Sequence, residues 1–361
     1  MNSANNYCII LAGGIGKRLW PRSCREKPKQ FIDFFHCGST LLQQTYRRVS
    51  RIVPRENIYV STFADYHDLV VEQLPDLAEA NILAEPVQLS TAPATAWASF
   101  HIAMLNPEAN IFVSPCDQFI DDEAAFESEV LEGLEYTHEH DTFLALGVPA
   151  NEANSAYGYI QMGPEVAPNL FRVRSFSEKP DPTFAKVFVD SGEFLWNTGL
   201  FLWNAHTISQ LMDEIMPAVG EEIAALDRPP SLEQEIEIVR RYYPSVSRLS
   251  IDLAILEKAQ NVVVRRCVFG WADVGSWPQL HALSPKDADG NAVLGEHKTL
   301  LSNCRNTLFS LPEGMAVVAE GLDGFLVAAD DKMLLICPNQ DPGLAKKLYN
   351  NAKTTLGDEF A

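Results

Sequence analysis

The sequence predicts an α/β fold with a mostly parallel sheet, followed by a small β-rich tail. Short apolar runs alternate with helical patterns from Tyr7 to about Val148, which implies strands joined by crossover helices on both sheet faces. The first run, Tyr7 to Ala12, leads into Gly13-Gly14-Ile15-Gly16, at the strand end where such sheets gather ligands. Composition changes at Ser284-Pro285-Lys286-Asp287-Ala288-Asp289-Gly290, a polar, turn-rich boundary. We therefore expect domains over 1–284 and 285–361, the second serving structure or oligomerisation.

The elements follow in order. Ser39 is placed to cap a helix through Val53, with Pro54 as its stop. Asn57–Thr62 reads as a strand, Asp65 as the cap of a short helix to Leu74, and Ile82–Ala84 as a brief strand. Pro93 suits the first turn of a helix to Asn106. Ile111–Pro115 is a buried strand, a helix runs from Asp121 to about His140, and Thr142–Val148 is a strand. Strands at Tyr157–Gln161, Phe171–Phe176, Leu195–Trp203 and Val262–Arg266 are expected, with helices at His206–Met216, Ser231–Arg241, Asp252–Gln260 and Trp277–Leu283. The tail shows strand patterns at Thr299–Leu301, Thr307–Ser310, Met315–Ala319, Phe325–Ala328 and Met333–Cys337. Leu344, Leu348 and Ala352 mark one face of a closing helix.

Hydrophobic residues at 47% and charged residues at 21% are enough for a full core. The net charge of -20 repels nucleic acid and anionic membranes, so neither is expected as a partner. Met1–Asn6 is polar and uncharged, unlike a secretory signal, and no run approaches the length of a membrane span. The seven cysteines are odd in number and lack CxxC spacing, which favours a reducing cytoplasm.

Against this acidic background, residues 17–29 carry Lys17, Arg18, Arg22, Arg25, Lys27 and Lys29 with one acid, Glu26. The glycines remove Cβ atoms where a ligand approaches and let N–H groups line an anion-holding concavity. A polyphosphate site is implied. A dinucleotide fingerprint needs glycine at position 19, which is Leu19, and so speaks against an NAD-linked oxidoreductase; a Walker loop needs Gly at 11 and Ser or Thr at 18, which are Leu11 and Arg18.

Seven motifs in order then resemble the sugar nucleotidyltransferases, and among them the mannose-1-phosphate guanylyltransferases (GDP-mannose pyrophosphorylases). They are Leu-Ala-Gly-Gly-Ile-Gly-Lys-Arg-Leu-Trp-Pro (11–21), Lys-Pro-Lys-Gln-Phe (27–31), Thr-Ala-Pro-Ala (91–94), Phe-Ser-Glu-Lys-Pro (176–180), Trp-Asn-Thr-Gly-Leu-Phe (196–201), Ser-Ile-Asp (250–252) and Trp-Ala-Asp-Val-Gly-Ser-Trp (271–277). The resemblance implies a Rossmann-like, glycosyltransferase-A-like catalytic domain and a tail similar to a left-handed β-helix fragment. It also implies GTP and mannose 1-phosphate as substrates, Mg²⁺ as cofactor and a homodimer.

The resemblance further implies a role for each matching residue. Arg18 grips the triphosphate, and Lys29 neutralises the α-phosphate. Asp117 and Asp273 hold the metal. The nucleotide lies along Leu11, Ala12, Gly13, Gly14, Gly16 and Lys17, with Glu85, Pro86, Thr91, Ala92 and Ala94 beside it. Gly158, Glu178, Lys179 and Asn197 bind the sugar phosphate. Asp252 either orients site residues or caps its own helix. Arg22, Arg25 and Lys27 are better read as solvated surface charge, His101, His138 and His140 as packing or surface residues, and Trp97 and Trp203 as core.

Two departures stand out. Cys116-Asp117-Gln118 lacks the histidine that often follows this aspartate in the family. Leu89-Ser90 stands where the guanylyltransferases usually have Arg-Asn, which bears on phosphate affinity and guanine selectivity. A heptose or glucose 1-phosphate, another nucleotide, or a non-catalytic sugar-nucleotide-binding regulatory paralogue are the alternatives.

Overall fold

The computed structural model describes residues 3–226 and 230–360. The strands are β1 (Asn6–Leu11), β2 (Ile58–Phe63), β3 (Ile82–Glu85), β4 (Asn110–Pro115), β5 (Gln118–Ile120), β6 (Phe143–Pro149), β7 (Gly158–Ala167), β8 (Leu170–Ser177), β9 (Phe194–Asn204), β10 (Val262–Arg266) and β11 (Trp271–Asp273). The tail adds β12 (Ala292–Leu294), β13 (Thr299–Ser302), β14 (Leu308–Ser310), β15 (Val317–Glu320), β16 (Phe325–Ala329) and β17 (Leu334–Pro338). The helices are α1 (Leu41–Val49), α2 (His67–Gln73), α3 (Thr91–Leu105), α4 (Glu123–Glu139), α5 (Pro182–Ser191), α6 (Ala205–Ile215), α7 (Pro217–Ala224), α8 (Leu232–Tyr242), α9 (Ile251–Leu256), α10 (Trp277–Leu283) and α11 (Leu344–Leu356).

The chain forms two compact units whose boundary differs from a cut at residue 284. The first takes the residues up to Gly13, Thr45–Cys116 and Ile120–Trp271; the second takes Gly14–Gln44, Asp117–Phe119 and everything from Ala272. The basic segment after the first glycine thus packs with the tail, although it is nearly 250 residues away in sequence.

A nine-stranded sheet runs through the first unit in the order β3-β2-β1-β4-β9-β6-β10-β8-β7. The expected parallel character holds for β3, β2, β1 and β4 and for the β6–β10 pair. It fails elsewhere: β9 runs antiparallel to β4, β6 and β7, and β8 antiparallel to β7 and β10, so the sheet is mixed. The long hairpin of β7 and β8 accounts for the irregular middle of the sequence.

Helix α3 is apolar or small almost all round, and Ala92 to Ser99 are buried, as befits a helix enclosed by the core. Trp97 and Trp203 are fully buried, as expected. Trp97 Nε1 donates to Glu235 Oε1 at 2.6 Å, and His101 Nδ1 lies 2.8 Å from Glu235 Oε2. Glu235, 1% exposed, so fastens α8 to α3.

Some boundaries moved for local reasons. Thr40, not Ser39, caps α1: its N–H donates to Gln43 Oε1 and its hydroxyl accepts from the Gln43 N–H, and the helix ends at Val49. Asp122 caps α4 by accepting from Ala124 and Ala125. Helix α5 was absent from the sequence expectation, although Asp181 as cap, Pro182 in the first turn and Gly192 beyond the end announce it.

In the second unit, β12, β14 and β16 form a parallel ladder closed by antiparallel β17, and β13 pairs in parallel with β15. The chain alternates between the two ladders as it advances. A core of Leu19, Trp20, Ile32, Phe34, Trp277, Leu308, Leu326 and Tyr349 joins residues 14–44 to this tail.

Glu235→Ala leaves two buried donors without an acceptor and is expected to cost about 2–4 kcal/mol. Urea unfolding of this variant against the parent measures it, with Glu235→Gln expected to lose less.

Candidate functional site

The second unit contains all four residues expected at the reacting phosphates. Lys29 begins a 3-10 turn after Pro28 and is buried, 8% exposed. Its ammonium forms an ion pair with Asp117 and donates to the Val274 carbonyl at 3.3 Å. Burial pushes the Lys29 pKa down, but Asp117 and then Asp273 push it further up. The net shift is above the ordinary lysine value, against a small opposing effect from Arg18. Lys29 is therefore charged at neutral pH despite its burial.

The surrounding glycines are shaped by these charges. Gly16 sits at φ +74°, and a Cβ there would lie 2.8 Å from Ser23 Oγ and 2.9 Å from Lys29 Cγ. At Gly275 a Cβ would fall 2.2 Å from Asp273 Oδ2 and 3.1 Å from Arg18 Nη2, so the carboxylate and the guanidinium crowd the same space. Asp117 is tied to this segment through its carbonyl, which accepts the Val274 N–H at 2.8 Å. Ser23, fully buried, donates to the Ile15 carbonyl at 2.7 Å and fixes the loop from beneath. Neither Ser23 nor Gly275 was singled out from sequence; the glycine two places after Asp273 was its only signal. Gly14 is exposed, and Lys17 and Arg18 are half-buried.

The first unit holds the start of the loop and the expected base-side residues. The Ala12 N–H donates to Ser61, and the Ala12 carbonyl accepts from Thr62 Oγ1 at 3.0 Å. The Gln88 amide donates to the Gly13 carbonyl at 2.5 Å. Leu11 and Pro86 are half-buried. Glu85, at the carboxyl end of β3, is 6% exposed, and its Oε1 lies 3.4 Å from where a Gly13 Cβ would stand. Tyr243 donates a short hydrogen bond to Glu85. Burial raises the Glu85 pKa to about 7 although this hydrogen bond pulls it down; burial and Glu85 together raise that of Tyr243. Thr91 spends its hydroxyl on the Ile251 N–H, and the Ala92 and Ala94 side chains are buried. Leu89, in place of an arginine, packs against the main core.

The residues expected on the sugar side also meet within the first unit. Gly158 on β7 stands directly opposite Asn197 on β9. A Cβ at Gly158 would lie 2.8 Å from Glu178 Oε2, so glycine makes room for that carboxylate. Lys179 pairs with Glu178 and holds φ at +47°, a conformation costly for any residue with a Cβ. Asn197 Nδ2 donates to Asp252 Oδ1 at 2.6 Å, which settles the two readings of Asp252: it orients Asn197, while Ser250 caps the helix. Burial raises the Asp252 pKa, partly opposed by the Asn197 hydrogen bond.

Among the described residues, no group of three or more His, Cys, Asp or Glu could hold a metal. The donor set here is two carboxylates, Asp117 and Asp273, both acting on one ammonium. That suits Mg²⁺, which takes one or two carboxylates and completes its shell with phosphate and water.

Residues 7–290 match the nucleotidyl transferase family. The mannose-1-phosphate guanylyltransferase RfbM of Salmonella typhimurium is 31% identical, over 98% of this chain and 73% of that protein. The alginate biosynthesis protein AlgA of Pseudomonas syringae pv. tomato is 33% identical, over 91% of this chain and 68% of that protein. A crystal structure described as mannose-1-phosphate geranyltransferase from Thermus thermophilus superimposes with a TM-score of 0.83 at 27% identity, covering 97% of this chain and 99% of that one.

Glu85 binds its proton more tightly folded than unfolded, so its contribution to stability is greatest below pH 4.5 and is lost as pH rises to about 7. Glu85→Gln cannot titrate. Chemical denaturation across this range should show the variant gaining on the parent with rising pH, by about 3 kcal/mol in total.

Proposed function

Because the chain belongs to the nucleotidyl transferase family, we propose that it transfers GMP from GTP to α-D-mannose 1-phosphate, yielding GDP-mannose and pyrophosphate. The observation that carries this reading is the buried Lys29, kept charged between Asp117 and Asp273 in the unit that also holds Arg18. The names and spans of the relatives support the choice of sugar and nucleotide.

An oxygen of the sugar phosphate forms a bond to the α-phosphorus of GTP, and the bond from that phosphorus to the bridging oxygen of pyrophosphate breaks. The nucleophile is already an anion, so the protein's work is positioning and charge neutralisation. Arg18 offers a planar fork to the triphosphate. Lys29 places its charge against the α-phosphate. Lys179 receives the sugar phosphate, while Glu178 and the Asn197 held by Asp252 accept and donate to sugar hydroxyls. Backbone of Leu11 to Lys17 lines the nucleotide, with Glu85, Pro86 and Thr91 to Ala94 beside it. Asp117 and Asp273 would hold Mg²⁺, which when bound offsets phosphate charge.

The division of labour between a catalytic 1–284 and an assembling 285–361 belongs to the same proposal. The alternation of the tail's two ladders supports a left-handed β-helix fragment. Leu300 and Val318, adjacent in register and 62% and 76% exposed, support burial against a second copy as a homodimer. The seven unbridged cysteines favour the cytoplasm. No described helix is long and apolar enough to cross a membrane.

A panel of nucleoside triphosphates and sugar 1-phosphates, followed by pyrophosphate release, tests the substrates; GTP with mannose 1-phosphate giving no GDP-mannose refutes the reading. Asp117→Asn and Asp273→Asn should each lower turnover by on the order of 10²–10³. Gly275→Ala, which displaces Asp273, should lose roughly 10²-fold while the fold melts as in the parent. Lys179→Ala should raise the KM for mannose 1-phosphate more than that for GTP.

A further inference from the structure

The last helix of the chain touches the phosphate loop. Tyr349, 5% exposed in α11, turns its ring edge-on to Trp20, with centroids 6.3 Å apart and planes at 77°. The Lys17 ammonium lies over the same ring, 4.9 Å from its centroid. Trp20 is held in turn by the Trp277 indole, which donates to its carbonyl at 2.9 Å. Leu19 and Trp20 share one buried core with Ala345 and Tyr349. The segment between β17 and α11 also reaches this loop, for Arg18 lines a narrow cleft with Asn339 and Asp341.

Among the described residues no carboxylate pairs with Lys17. An aromatic face attracts a cation through its quadrupole and leaves the charge intact, whereas a carboxylate would cancel it. The ring therefore restricts the long Lys17 side chain without neutralising it, in the same turn that carries Arg18. Restriction matters because a free lysine loses rotamer entropy when it engages a phosphate.

We infer that Tyr349 is a positioning residue for nucleotide binding: its ring holds Lys17 as an additional, undiminished cation for the triphosphate, which makes the terminal helix part of the nucleotide site. The inference rests on the phosphate-binding role proposed above for the 11–18 loop. It assigns to the tail a task beyond assembly.

The test is a double-mutant cycle in the full chain with Tyr349→Leu and Lys17→Gln, and Tyr349→Phe as the variant that keeps the ring. Tyr349→Leu should raise the KM for GTP roughly 2- to 30-fold, with the KM for mannose 1-phosphate and kcat nearly unchanged. Tyr349→Phe should behave as the parent. In the Lys17→Gln background, Tyr349→Leu should have no further effect on the GTP KM. Equal effects of Tyr349→Leu in both backgrounds, or parallel loss of kcat and both KM values, overturn the inference. Should Tyr349→Leu unfold the chain, ring-fluorinated phenylalanines at 349 decide: the GTP KM must rise with fluorination, and an unchanged KM refutes the ring's role. The assay runs all four common nucleoside triphosphates in parallel. Parent turnover with a triphosphate other than GTP is a failure of the substrate assignment, and the same cycle read with that triphosphate still upholds or overturns the part played by Tyr349.

Discussion

A lysine withdrawn from water needs compensation in place, and the second unit is organised around that need at Lys29. Desolvation alone would lower the pKa of the side chain; Asp117 and Asp273 more than reverse that shift. Gly16 gives up its Cβ to Lys29 and Ser23, and Gly275 gives up its own to Asp273 and Arg18. The Val274 carbonyl closes the arrangement. Such a cluster is poor at stabilising a fold, because removing either partner of a buried pair costs about 3–5 kcal/mol while an apolar replacement is often neutral. What it supplies is a fixed positive charge in a protein of net charge -20. Phosphate chemistry has use for such a charge, and a core does not.

The residues proposed to bind the sugar are positioned by another device, strand pairing. Gly158 and Asn197 are opposed because β7 and β9 are antiparallel in that register, and a slip of one residue would turn Asn197 to the opposite face. Asp252 then locks the amide, and the strained backbone at Lys179 keeps its ammonium beside Glu178. A sheet that departs from parallel order at β9 is thus what brings these residues together. The antiparallel return that makes the sheet mixed also sets the glycine opposite the asparagine.

Two buried polar networks serve the first unit differently. Glu235 with Trp97 and His101 ties α8 to α3 deep in the core and has structural work. Glu85 with Tyr243 lies at a strand's carboxyl end, against Gly13, with its protonation displaced toward neutral pH. Both acids are buried to a similar degree, but Glu235 sits on helix α8 within the core and Glu85 at the end of strand β3. The terminal helix offers a third case: Tyr349 packs like a core residue yet carries a cation on its face.

The sequence by itself determined the α/β class, most helices and most of the tail's strands, and it named the candidate site residues. Those features reside in local patterns: apolar periodicity, glycine and proline placement, and short ordered motifs. Arg18, Lys29, Asp117 and Asp273 could be named from such motifs. That Arg18 and Lys29 share a compact unit with Asp117, Asp273 and the tail could not, because packing of Trp20 against Tyr349 and Trp277 has no local signature. The direction of β9, the donation from Tyr243 to Glu85 and the role of Asp252 were likewise decided only in three dimensions. Each depends on which distant backbone a strand pairs with, or on where a hydroxyl finds a buried acceptor, and neither is encoded in the residues next along the chain.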